Sequence, residues 1–140
     1  MVKLSSRPRS HCPINFGLEI FGDRWTLLIL RDLMINGKSS FKEFQAAEEG
    51  ISSNILAERL DRLLQTGLIV SERVAADTRQ IRYRPTPSGA ALLPVLVEMA
   101  YWGAKHDSET AAPEAFVQAY KQDRAGLLTA MADGIVPGKN

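Results

Sequence analysis

The stretch Gly50–Ile69, "GISSNILAERLDRLLQTGLI", decides how the chain is read. On a helical wheel Leu56, Leu60, Leu63 and Leu64 fall on one stripe, the pattern of a helix that buries a single face. The opposite side carries Asn54, Glu58, Asp61, Arg62 and Gln65, with Ser53 and Ala57 along one edge and Ile55 and Arg59 along the other. Gly50 supplies a turn before this helix and Gly67 ends it. A face so mixed in charge is either an ordinary solvated surface or one shaped to touch a partner.

Upstream, Ser40 opens "SFKEF", and Glu43 three residues on completes a capping box for a short helix whose Phe41 and Phe44 share a side. Downstream of Gly67 the period changes to two. "LIVSERV" and "QIRYRP" read as strands joined by "AADTR", residues 75–79. A short helix, a tight glycine turn and a longer helix make a helix-turn-helix, and a hairpin directly after it makes a wing.

The flanks are helical. Pro13 and Gly22 bound a first helix with Ile14, Leu18 and Phe21 as its apolar stripe. Asp23 stands as N-cap ahead of "RWTLLILRDLMI", a central helix stopped by Asn36-Gly37. Thr86-Pro87 opens a helix expected to run to about Ala104, with Leu92, Leu96, Met99 and Gly103 on a wide apolar face. "DSETAAP" is a linker. Pro113 opens a last helix, with Phe116, Tyr120, Leu127 and Leu128 as its expected buried side, and the tail "GIVPGKN" should fray.

The expected fold is therefore mainly α with a small two-stranded β-hairpin, a winged helix-turn-helix with additional N- and C-terminal dimerisation helices. Residues 1–10 form a flexible basic arm, 11–104 the winged helix-turn-helix DNA-binding domain, and 105–140 a C-terminal extension with one helix serving dimerisation.

Bulk properties set limits. With 140 residues and 45% hydrophobic content the chain can bury one sizeable core. It has no apolar run long enough for a membrane span and no apolar segment behind its basic start, so no secretory signal is expected. One cysteine rules out an internal disulfide framework, and a cytoplasmic location follows as the expectation. Net charge is only +1, but its distribution is uneven. Lys3, Arg7 and Arg9 lie in a start without acids, and Arg73, Arg79, Arg82 and Arg84 stand against Asp77 alone. That is the electrostatic footprint expected of a near-neutral nucleic-acid binder.

In a helix-turn-helix the front of the second helix meets base edges in the major groove. Ser52, Ser53, Asn54 and Ala57 hold that place: asparagine can bridge adenine, and small neighbours let the backbone approach. Ser52 or Ser53 would equally serve as a helix cap. Arg59 and Arg62 lie along the flank, though Glu58 and Arg62 also have the spacing of a helix-surface ion pair. In the hairpin, Ile81 and Tyr83 share one face, Gln80, Arg82 and Arg84 the other. Arg79 and Arg82 are wing candidates for phosphate or minor-groove contact, against the plainer reading of a solvated sheet face. Lys38 and Lys42 are weaker phosphate candidates.

Cys12 lies beside His11 at a helix start, a setting that favours a reactive thiol, although an inert small residue fits there too. Trp25 and Trp102 read as core or dimer-interface residues. No metal site is expected, because His11, Cys12 and His106 are few and scattered, and no cofactor is expected.

"CPINFGLEIFGDRWTLLILRDLMING", "GISSNILAERLDRLLQTGLI" and "IRYRPTPSGAALLPVLVEMAYWG" together resemble the HxlR-type winged helix-turn-helix transcriptional regulators. The resemblance covers about residues 12–104. It implies a homodimeric regulator of double-stranded DNA, and in some relatives the N-terminal cysteine senses oxidants or electrophiles. A small-molecule or oxidant effector is the corresponding expectation for Cys12. The wing "VAADTRQ" departs from the proline-rich wing common in that family, and residues 105–140 lie beyond the shared part.

Three function classes follow. The first is a sequence-specific regulator whose two recognition helices, about residues 52–65, enter successive major grooves of an inverted repeat while wings at about residues 74–82 touch backbone or minor groove. The alternative is a winged-helix protein–protein interaction module, kept open by the near-neutral charge and by Glu58 and Asp61 on the reading helix. An enzyme is not expected: no phosphate loop, G-x-S-x-G or H-E-x-x-H is present.

Overall fold

A computed structural model describes residues 1–74 and 77–138, with Asp77 and Thr78 described by their backbone alone. The elements are α1 (Pro13–Phe21), α2 (Thr26–Met34), α3 (Phe41–Gln45), α4 (Ser53–Thr66), β1 (Ile69–Val74), β2 (Asp77–Pro85), α5 (Pro87–Ala90), α6 (Leu93–His106) and α7 (Glu114–Asp133). The two strands pair antiparallel, Ile69 opposite Pro85 and Glu72 opposite Arg82, with a bulge between Arg73 and Val74. This is the winged helix-turn-helix expected, mainly helical with one two-stranded hairpin.

The core follows the opening stripe. Leu56, Leu60 and Leu63 of α4 are buried with Ile29, Leu30 and Leu33 of α2, Phe44 of α3, and Ile51, Leu68, Ile69 and Leu96. Ser52 caps α4 through its hydroxyl, which accepts from the Ile55 N–H at 3.3 Å. Gly67 ends α4 at φ +79°, and Gly50 shapes the turn before it at φ +75°, a region costly for residues with a Cβ. The capping box at α3 is closed: Ser40 Oγ accepts from the Glu43 N–H at 3.3 Å and donates to its Oε1 at 2.8 Å.

Several expectations are corrected. The helix after Thr86 is two helices, α5 and α6, broken at Ala91–Leu92. Pro94 lies in the first turn of α6, where its missing N–H costs nothing, whereas deep in one long helix it would remove a bond. Of the five residues expected as the hairpin loop, 77–79 already belong to β2, and 75 and 76 lie outside the described residues. The α1 stripe divides, with Ile14 and Leu18 75% and 50% exposed and Phe21 packed against the core, and the one α1 residue fully buried is Ile20, outside the expected stripe. No residue of α7 is fully buried; Phe116, Tyr120, Leu127 and Leu128 are only partly covered.

The two ends of the chain are also held. The Lys3 N–H donates to the Thr66 carbonyl at 3.2 Å, and Val2 and Leu4 pack on the core. Arg9 bonds Glu19 and Asn15. At the other end the Gly138 N–H donates to the Pro85 carbonyl at 2.8 Å, so the tail reaches the base of the hairpin instead of fraying there.

Candidate nucleic-acid interface

The helix-turn-helix is braced from behind. Arg31 of α2 makes a two-pronged bond to Glu49, Nη1–Oε2 at 2.7 Å and Nη2–Oε1 at 2.8 Å, just before the Gly50 turn. The Arg31 bond holds the Glu49 carboxyl at about 2, against 4.5 ordinarily, and in return raises the Arg31 guanidinium above its ordinary value. Ile51 is buried and anchors the turn. With Leu56 and Leu60 also in the core, the front of α4 faces outward: Ser52, Ser53, Asn54 and Ala57 are all exposed.

The arginines of α4 do not share that outward setting. Arg59 Nε donates to Asp23 Oδ2 at 2.9 Å and the guanidinium also contacts Glu58; its side chain is 21% exposed. Arg62 donates to the backbone carbonyl of Glu19. The expected Glu58–Arg62 pair is therefore replaced by Glu58–Arg59 and by a tether from Arg62 to α1. Both arginines turn inward because partly buried acceptors on α1 and the α1–α2 junction lie within reach. Burial tends to raise the Asp23 carboxyl, but bonds from Thr26, Arg59 and the Trp25 and Thr26 N–H groups outweigh it and bring it to about 2.

Lys38 also has an internal partner. Its Nζ lies 3.3 Å from Asp32 Oδ2, whose other oxygen accepts from Arg31 and from Asn36. On the hairpin, Arg82 Nη1 donates to Ser39 Oγ at 3.0 Å and Glu43 Oε1 at 2.9 Å. The Ser40 hydroxyl above all, with backbone N–H groups and Arg82, holds the Glu43 carboxyl below its usual range against the opposing effect of desolvation. Arg84 pairs with Glu72 at 2.9 Å. The Tyr83 N–H donates to the Ser39 carbonyl at 2.8 Å, which fixes β2 beside the start of α3. Lys42, Arg79 and Arg82 consequently line one open groove between α3 and β2, together with Gln80 and Ile81. Ile81 is 42% exposed, whereas Tyr83 from the same strand face packs on the core.

Cys12 is exposed and stands as the N-cap residue of α1, its carbonyl accepting from the Phe16 N–H at 3.0 Å. Asp23 and Glu43 were legible as capping residues, but their pairing with Arg59 and Arg82, and that of Ser39 with Arg82, had no sequence signal. For Asp23 the sign was present in its spacing to Thr26, whose hydroxyl and N–H both bond it. The pairs across distant elements have no local signature.

A braced helix-turn-helix with an outward small-polar front and a basic hairpin groove defines a winged-helix transcriptional regulator. The model of the HxlR-like helix-turn-helix family matches residues 20–111, and the chain belongs to that family. It is 33% identical over 95 residues to the HTH-type transcriptional regulator YvaP of Bacillus subtilis (strain 168), covering 67% of this chain and 87% of YvaP. It is 31% identical to YdeP of the same organism, over 75% of this chain and 81% of YdeP. Among solved structures it is similar to PA1607, a candidate transcription factor, at TM-score 0.66 and 34% identity over 76% of this chain and 72% of that one. The reduced form of the transcriptional regulator YodB from B. subtilis superposes at TM-score 0.57 and 30% identity, over 72% of this chain and 99% of YodB. The redox regulator HypR in its oxidized form gives TM-score 0.58 and 29% identity, over 67% of this chain and 96% of HypR. No helix among the described residues is long and apolar enough to cross a membrane.

Proposed function

We propose that this protein is a sequence-specific DNA-binding regulator that acts as a cytoplasmic homodimer on an inverted-repeat operator, by binding and not by catalysis. The observation that carries the reading is the exposed front of α4, where Ser52, Ser53, Asn54 and Ala57 stand clear of the core beside the Gly50 turn. Asn54 is the base-reading side chain and the small residues admit the helix to the major groove. Lys42, Arg79 and Arg82 supply backbone contacts from their shared groove. Arg59, Arg62 and Lys38 hold the reading helix and its support in place. The wing at about residues 74–82 includes 75 and 76, which lie outside the described residues.

Dimerisation is supported by apolar side chains the single chain leaves uncovered: Ile14, Phe16 and Leu18 on α1, Met99 and Trp102 on α6. Exposed apolar side chains of this kind fit burial against a second copy. Cys12 is exposed one residue before α1, where its modification would disturb that helix, and the redox regulator HypR and the transcriptional regulator YodB have a similar fold. Oxidation of Cys12 then alters DNA binding.

The second reading, a protein-interaction module, is favoured by Glu58 and Asp61, both exposed on the reading helix. A selection from randomised duplex DNA separates the two. Enrichment of one inverted repeat, weakening with salt, supports the regulator; no enrichment and no salt dependence supports the module. Repeating the selection with oxidant on the parent and on Cys12→Ser tests the thiol: a Cys12→Ser protein that responds like the parent removes Cys12 from the account.

A further inference from the structure

Beneath the hairpin lies a cavity that the DNA-binding reading does not use. Its volume is about 560 Å³, inside the range of roughly 300–1,000 Å³ usual for small-molecule sites. It is walled by the end of α2 with the segment that follows, by β2, and by the end of α7 with the tail. Its lining includes the apolar Met34, Met131 and Ile135 together with the cations Lys38, Arg82 and Arg84, and no Asp or Glu lines it among the described residues.

The carboxylates that pair with these cations stand outside the lining: Asp32 with Lys38, Glu43 with Arg82, Glu72 with Arg84. Those pairs engage Lys38 Nζ, Arg82 Nη1 and Arg84 Nε. Each ammonium or guanidinium group carries further N–H donors. The Gly138–Pro85 bond holds the tail across this region. Methionine adapts its shape to an occupant, which suits Met34 and Met131 to a variable apolar body.

We propose that this cavity binds a small amphipathic carboxylate. Its anion sits among Lys38, Arg82 and Arg84, and its aryl or alkyl body lies against Met34, Met131 and Ile135. A bare inorganic anion would leave the apolar residues unused, and a neutral apolar molecule would leave the further N–H donors of the three cations unused. Arg82 lines both this cavity and the groove with Lys42 and Arg79, so the ligand lies next to the proposed wing contact.

Calorimetry on the full chain without DNA tests this, with 3-phenylpropionate and octanoate as probes and their amides as neutral controls. The carboxylates are expected to bind saturably, one per chain, and the amides about tenfold or more weaker, the weight of one charge-assisted hydrogen bond. Arg84→Gln should weaken the carboxylates by about the same factor and leave the amides unchanged. Met131→Trp fills the cavity and should abolish binding of both. A thermal melt of each variant without ligand shows whether it is folded; if either is not, the acid-to-amide ratio of the parent decides alone. Equal affinity for acid and amide, absence of saturable binding, or full binding by both folded variants overturns the proposal. No DNA enters the measurement, so its failure leaves the DNA-binding reading standing.

Discussion

Asp23 and Arg59, 36 residues apart, meet at 2.9 Å, and the same Asp23 oxygen accepts the N–H groups of Trp25 and Thr26 at 3.0 Å each. One carboxylate therefore caps the start of α2 and clamps the flank of the reading helix. Asp23→Ala is expected to cost about 1–2 kcal/mol for the cap alone, and more because the partly buried Arg59 keeps only the exposed Glu58 as an ion-pair partner. A double-mutant cycle with Arg59→Ala, followed by chemical denaturation, should give a coupling of about 0.5–3 kcal/mol. Strict additivity would show that the two residues act separately.

Acid should loosen the same brace. Asp23 titrates at about 2 in the fold against an ordinary 3.8, and Glu49 at about 2 against 4.5. Between those limits the unfolded chain binds more protons than the folded one. The stability these groups add is thus complete above the ordinary carboxylate range and is lost as pH falls toward about 2. Thermal midpoints measured through this window should fall with pH, and Asp23→Asn should flatten the fall. A midpoint that rises on acidification would contradict the assignment.

The inward and outward cations should separate in their response to salt. Lys42→Ala removes a proposed phosphate contact and should reduce the salt slope of DNA binding by about 0.9. Arg59→Ala should leave that slope unchanged while lowering the unfolding midpoint. Fluorescence anisotropy at several salt concentrations reads both, and a slope lost in Arg59→Ala would return that residue to the DNA face.

Trp102, 67% exposed in the single chain, should matter only to the dimer. Trp102→Glu is expected to leave the fold of the monomer within about 0.5 kcal/mol, as for an exposed site, while shifting the protein to monomer in sedimentation velocity. A Trp102→Glu protein that still sediments as a dimer would move the interface elsewhere.

Much of this molecule was legible along the chain because its signals are local. The leucine stripe of α4, the caps at Ser40, Ser52 and Thr86, and the change of period after Gly67 all depend on neighbours a few residues apart. The misreadings have one physical source. Apolar periodicity says that a face avoids water, but not how far the chain itself covers it, and so Phe116, Tyr120, Leu127 and Leu128 read as a buried side of the last helix although they are only partly covered. Basic residues announce charge but not its partner, and Arg59, Arg62 and Lys38 find theirs on segments distant in sequence or across a turn. The cavity between α2, β2 and α7 has no sequence signature, because its walls meet only in three dimensions.

The account rests most directly on Asn54, exposed at the front of α4. Once the selected operator is in hand, the affinity of parent and Asn54→Ala should be measured on every single-base-pair variant of one half-site. The account predicts that Asn54→Ala loses discrimination at one base pair, by about 1–3 kcal/mol, and keeps it at the others. A profile unchanged at every position, or one weakened uniformly across all sequences, would contradict a base-reading role for this helix front.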